Sequence, residues 1–273
     1  MAYPTVSAPY GFKPVNLIGG QVYAGSTRNL PIAYNQSGAI YYGDPVTLSS
    51  GFVAIPTLPV NSTNTIIGYF AGCYYTNPTT KQRLYSQYYP GGITSGDITA
   101  IVVDDPDVVL KVAATTTASS TTIGSFSVNL VGGNVVGGTQ TGSVANGDSA
   151  QGVVGSSAAG ASSAGFRVLQ LVPDTQVSTG GTYVSGTGTT TLTVSGLTVG
   201  TFLPIGTDVF NVINGQLQYT GSTLTAAATV TTTGNTALTV TASTATVSGT
   251  VALVQTPEAL VKTNFGVHRY NLA

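Results

Sequence analysis

A chain of 273 residues is long enough to bury one large core or two modest ones, and its 42% apolar content excludes disorder driven by charge. Only 6% of its residues are Asp, Glu, Lys or Arg, against roughly 25% in ordinary soluble domains, so water-facing positions fall to Thr, Ser, Asn, Gln and Gly. A net charge of -1, with eight basic residues spread along the chain, offers no footprint for DNA or RNA, and no apolar run approaches the ~20 residues of a membrane span.

Residues 1–22 carry Pro4, Pro9 and Pro14 around Tyr10-Gly-Phe-Lys. So many fixed or permissive backbone positions predict an extended arm rather than a helix, either docked on a neighbouring subunit or mobile. Met1-Ala-Tyr-Pro lacks the basic and apolar regions of a signal peptide, which points to synthesis in a cytoplasm. Short strands are expected at 28–33, 39–42, 46–48, 52–55 and 66–71, separated by turns at Gln36-Ser-Gly38 and Gly43-Asp-Pro45. Strands recurring about every ten residues are the pattern of a barrel or a sandwich. The stretch from Tyr69 to Val112 organises the rest. Ile98 to Val103 is apolar on both faces and belongs in the middle of a sheet, and Asp104-Asp-Pro-Asp107 turns the chain with Asp105 at position i and Pro106 at i+1 of a type I turn. Val108, Leu110 and Val112 then share one face of the returning strand, with Lys111 on the other.

From Ala113 to Gly165 the composition shifts to Ala, Ser, Thr, Gly and Val, with possible strands at 123–131 and 166–172 around a Gly-rich excursion or linker. Residues 176–256 hold a single charge, Asp208. Here Asn214-Gly215 fits a type I′ hairpin that pairs Val212 with Leu217 and Phe210 with Tyr219 on a packed face, leaving Asn211, Ile213, Gln216 and Gln218 wet. Ser195-Gly196 reads as a second hairpin turn, and 236–254 as further strands. The tail from Leu260 returns to aromatic and charged residues. No helical stripe occurs anywhere. The expected fold is all-β with negligible helix: an extended arm at 1–22, an antiparallel barrel or sandwich domain at 23–175 rejoined by 257–273, and a small sandwich-like module at 176–256.

Chemistry lacks parts. His268 is the only histidine, Cys73 the only cysteine, and no nucleophile elbow or phosphate loop is present. Cys73 reads as a small buried hydrophobe and Asp104–Asp107 as a turn, with calcium binding the sharper alternative for the latter. No enzyme activity, cofactor or metal is expected. Surface recognition remains: twelve of fifteen tyrosines fall within 1–89, and Tyr and Arg concentrate in protein interfaces. Tyr10, Phe12, Arg28, Tyr74, Tyr75, Arg83, Tyr88, Tyr89, His268 and Arg269 are the candidate interface residues, although a share of the aromatic ones is expected to line a core.

Several segments resemble the head-decoration (cement) proteins of tailed bacteriophages: Tyr10-Gly-Phe-Lys-Pro-Val15, Gly19-Gly20 through Ala24-Gly-Ser-Thr-Arg28, Tyr42-Gly-Asp-Pro-Val46, the Tyr69–Tyr89 block with Ser86-Gln-Tyr-Tyr-Pro90, and Val102-Val-Asp-Asp-Pro-Asp107. The likeness continues more weakly through Ile123–Pro173 and Asn264–Tyr270, while 176–256 departs from it and reads as an added outer module. It implies a β-rich virion protein on the outer capsid surface, bound to the major capsid protein and to copies of itself as a homotrimer. A tail or fibre component is the nearest rival. A carbohydrate-binding β-module, stacking sugars on tyrosines, is the rival from another class.

Overall fold

The computed structural model describes residues 6–60, 65–155, 164–187 and 190–264. It is all-β, 46% strand and 2% helical. Three open sheets and a two-stranded ribbon account for the strands, β1 to β20 in chain order, and among the described residues no sheet closes into a barrel. Sandwich packing is therefore the realised half of the expectation.

The first sheet runs β1 (Lys13–Leu17), β8 (Val108–Thr115), β20 (Glu258–Thr263), β11 (Phe166–Leu171) and β9 (Asn134–Val135), with β10 (Val153–Val154) added parallel to β8. The second runs β2 (Arg28–Pro31), β7 (Thr99–Val103), β5 (Gly68–Thr76), β3 (Pro45–Ser49) and β4 (Phe52–Ala54), with β6 (Arg83–Ser86) on β5. The expected central strand is β7, between β2 and β5, and its two faces serve two cores. Val103 joins Tyr69, Val108, Leu110, Val112, Phe126, Phe166 and Val261 in the core shared with the first sheet. Ala100 and Val102 face away, into a second core with Phe70, Cys73, Ile40, Tyr89 and Ile98. Neighbouring residues of β5, Tyr69 and Phe70, thus point into different cores because side chains alternate across a strand.

Residues 13–17 are not a free arm. They form β1, paired antiparallel to β8, and Phe12 stacks on Phe166 with ring centroids 4.5 Å apart. Burial of that ring ties the segment to the body of the protein more firmly than the proline spacing suggested. The Asp turn forms as expected: the Asp107 N–H donates to Asp105 Oδ1 at 2.8 Å, and the Val108 N–H to the Asp105 carbonyl at 3.3 Å. The stretch expected as a strand at 123–131 is instead a single bridge at Ile123 and a short 3-10 turn, Val128–Leu130, with Ser127 Oγ accepting from the Asn129 N–H.

The third sheet, β16 (Gln216–Thr223), β15 (Asp208–Ile213), β19 (Thr250–Gln255), β12 (Val177–Thr187), β13 (Thr191–Ser195) and β18 (Thr236–Thr239), lies wholly within the Thr-rich segment. With the ribbon β14 (Phe202–Leu203) and β17 (Ala228–Thr229) it encloses its own core of Leu192, Val194, Leu203, Val209, Leu238 and Leu253. The Asn214-Gly215 hairpin has the expected register, Phe210 opposite Tyr219 and Val212 opposite Leu217, and both turn residues have positive φ, 52° and 77°.

Ile213, Gln216 and Gln218 are wet as expected, but Asn211 and Leu217 exchange their expected places. Val209 and Asn211 point inward, while Phe210 and Val212 are half-buried and Leu217 is 54% exposed. Burial of Asn211 is tolerated because its amide nitrogen donates to the Thr246 carbonyl at 2.8 Å and its oxygen accepts from the Ser248 N–H at 3.2 Å. Ser195-Gly196 does not close a hairpin: β13 pairs with β12 and β18, and the chain leaves the sheet there towards β14. β20 pairs with both β8 and β11, and the rest of the tail, 265–273, lies outside the described residues.

Candidate interaction surface

The β5–β6 hairpin carries three of the candidates, the half-buried Tyr74 and Tyr75 and the exposed Arg83. Its loop is held by Asn77, whose side-chain oxygen accepts from the N–H groups of Thr79 and Thr80 at 2.8 and 3.1 Å. Pairing Tyr74 with Tyr85 and Thr76 with Arg83 places Tyr74, Arg83 and Tyr85 on one face and Cys73, Tyr75 and Leu84 on the other. On the outer face the two tyrosine rings meet at 5.4 Å and 56°, and the Arg83 guanidinium lies 5.4 Å from the Tyr74 ring centroid. Such a cross-strand aromatic pair with a cation alongside holds its shape before any partner arrives. The base of the rim is pinned by Asp97, which accepts from the Thr76 N–H at 3.0 Å and the Thr76 hydroxyl at 2.6 Å. Hydrogen bonds from Ser95 and Thr76 hold that carboxyl down at about 2.

The other candidates divide by burial. Phe12 and Tyr89 are core residues, 1% and 0% exposed, and present no docking surface in this fold. Tyr89 is drawn in because its hydroxyl finds the Gln36 carbonyl at 2.9 Å, which lets a polar-tipped ring fill the second core. Tyr75 packs against that same core from its edge. Tyr88 is half-buried and stacks on Tyr41 at 5.6 Å with the planes 7° apart. Tyr10 is half-buried, its hydroxyl donating to Glu258. Arg28 is exposed and lies 2.8 Å from Asp104. His268 and Arg269 lie outside the described residues. Of the ten candidates, the structure therefore brings together Tyr74 and Arg83 and adds Tyr85, 59% exposed, which the sequence reading left out. Strand alternation across the Asn77–Gln82 loop was the signal that pairs it with Tyr74.

A cleft of about 410 Å³ opens beside this rim, lined by Tyr23, Tyr42, Tyr85, Thr27 and Gln87. At its margin the Lys13 ammonium sits 3.6 Å from the centroid of the Tyr42 ring and 2.8 Å from Asp148 Oδ1.

Among the described residues, the Cys73 thiol and the carboxyls of Glu258 and the Asp run are engaged within the fold. The Cys73 thiol is buried, 3.7 Å from the Tyr88 carbonyl, and burial pushes it up to about 12. Glu258 is buried between Tyr10 and Lys111, the latter at 3.3 Å. The carboxylates of the Asp run diverge, Asp104 to Arg28, Asp107 to Lys262 at 2.7 Å, and Asp105 to the Asp107 N–H. No protein family, curated protein or solved structure matches the chain.

Proposed function

We propose that the chain is a non-enzymatic structural subunit of a virus particle, a head-decoration protein that docks on the outer surface of the capsid shell. It would assemble with copies of itself as a homotrimer and bridge neighbouring major capsid protein subunits. The observation that supports this reading best is the rim of Tyr74, Arg83 and Tyr85, a preassembled Tyr/Arg patch on a chain with few charges. The small number of charges on the chain suits burial against another protein, where desolvating charge would cost most. The segment resemblance set out above supplies the capsid context. Stabilisation by such a subunit would act chiefly on the rate at which a shell opens.

Shells assembled from the major capsid protein of the same virus provide the test. Incubated with the purified chain and imaged by electron cryomicroscopy, they should carry ordered density on their outer face. Tyr74→Ala and Arg83→Ala should each weaken docking by about 1–2 kcal/mol without changing the β-sheet signal. A chain that stays in solution at every ratio sinks the reading. Density at the tail instead of the shell transfers it to the tail-component rival.

A further inference from the structure

The cleft beside the rim has features that docking on a capsid does not require. Three tyrosines from separate segments converge on it: Tyr23 after β1, Tyr42 before β3, and Tyr85 from β6. Each is held in place. The Tyr23 hydroxyl donates to the Ser26 carbonyl at 2.9 Å, and Tyr42 lies under the Lys13 ammonium. Tyr85 lies close over Gly72, a bulge residue at φ 138°, where an added Cβ would fall 2.8 Å from the Tyr85 hydroxyl oxygen. The glycine therefore makes room for the ring to lie down against the sheet.

Polar groups at the cleft are few and point to one ligand class. Gln87 donates from its amide nitrogen to Asp148 at 3.3 Å, and its amide oxygen makes no hydrogen bond among the described residues. Thr27 adds an exposed hydroxyl. None of the residues lining the cleft is charged among the described residues, and at its margin Lys13 and Asp148 form a 2.8 Å ion pair. A volume of about 410 Å³ lies within the range of small-molecule sites. Flat aromatic walls, an amide, a hydroxyl and no net charge complement a sugar ring, whose C–H face stacks on tyrosine while its hydroxyls meet the amide.

We propose that the Tyr23–Tyr42–Tyr85 cleft is a binding site for a neutral saccharide. Stacking on Tyr85 and Tyr23 supplies the contact area, and Gln87 orients the ring through its free amide oxygen. The site shares Tyr85 with the docking rim, while Tyr74 and Arg83 lie outside the cleft and Tyr23 outside the rim, so Tyr23→Ala separates sugar binding from shell docking. Binding of a single short sugar at an open cleft of this size falls in the millimolar range.

Titration of the full chain with maltotriose, cellotriose and chitotriose, read by saturation-transfer NMR and by tyrosine fluorescence, tests this directly. The chain contains no Trp, so the intrinsic emission reports tyrosine alone. At least one sugar should bind saturably, and Tyr85→Ala and Tyr23→Ala should each weaken it about tenfold or more. Tyr183→Ala, in the Thr-rich module, serves as the folded control and should bind as the parent does. Absence of saturable binding by all three sugars overturns the proposal. So does binding that survives both cleft variants while each retains the parent's unfolding midpoint, or binding confined to an anionic control such as sialyllactose. Should either variant fail to fold, Gln87→Ala, at an exposed position, replaces it under the same criterion.

Discussion

Asp44 shows how much one buried carboxyl can impose on a chain with so few charges. It is 4% exposed and accepts the Tyr41 N–H at 2.8 Å, yet desolvation outweighs that donor and raises its carboxyl from 3.8 to about 6. The proton is therefore held more tightly by the folded chain than by the unfolded one. This contribution to stability is complete below 3.8 and is lost as pH rises through about 6. Unfolding midpoints should fall across that window in the parent, and the Asp44→Asn variant should lose that part of the slope. An unaltered slope in the variant would remove Asp44 as its source. Asp105 makes the opposite case, since its carboxylate is spent on a local turn and those of Asp104 and Asp107 on cations. Millimolar calcium should leave the unfolding midpoint unchanged, and Pro106→Ala should cost about 0.4–1 kcal/mol through added freedom of the unfolded chain. A calcium-dependent rise abolished by changing Asp105 and Asp107 to Asn would restore the cation reading.

Among the elements, the Asn214-Gly215 hairpin separates what a sequence specifies from what it leaves open. Gly215 sits at φ 77° with nothing within 4 Å of an added Cβ, so Gly215→Ala carries a conformational penalty and no clash. The expected loss is about 1 kcal/mol, read as a lower denaturation midpoint with an unchanged m-value. A loss of several kcal/mol would mean that the turn nucleates more than its own hairpin. Register was legible here because turn chemistry fixes which residues face each other. The choice of inner face was not. It depends on the Thr246 and Ser248 backbone groups that satisfy Asn211, and those belong to a loop far along the chain. The same limit applies to the candidate surface. Composition placed tyrosines in the first third of the chain, but burial sorted Phe12 and Tyr89 inward through partners such as Phe166 and Gln36 that no local pattern announces.

At the scale of the molecule, the Thr-rich module and the main body meet through a polar junction centred on the module's one charge. Asp208 Oδ2 accepts the Val128 N–H at 2.7 Å and Oδ1 the Thr223 hydroxyl at 2.9 Å, while Asn129 Nδ2 donates to the Tyr219 hydroxyl at 2.9 Å. Burial raises the Asp208 carboxyl, opposed by these donors. Asp208→Ala would leave the Val128 N–H without its acceptor, and a loss of about 1–3 kcal/mol is expected, with faster hydrogen exchange at that amide. Asp208→Asn, which keeps an acceptor, should lose less. Equal losses would assign the effect to charge rather than to the hydrogen bond. Excision tests whether the module is separable from the main body. Gln176 Nε2 donates to Thr256 Oγ1 at 3.1 Å, and Val177 is directly opposite Gln255. A chain that keeps Gln176 and Thr256 and replaces Val177–Gln255 with a short turn should retain the first two sheets, as judged by far-ultraviolet circular dichroism and amide NMR dispersion. Aggregation of that chain would show that the main core needs the module.

That side-by-side neck has a mechanical consequence. Tension drawn between the two ends of the chain enters at β1 and β20, which flank β8, so it crosses the first sheet before it reaches the neck at Gln176 and Thr256, and the module hangs as a side branch off that load path. Because both strands are gripped at the same end, their ladder yields one pair at a time, beginning at Val177–Gln255. The module is thus a reserve of slack, and pulling the protein by its termini should release it as a separate low-force step once β20 has parted from β8 and β11.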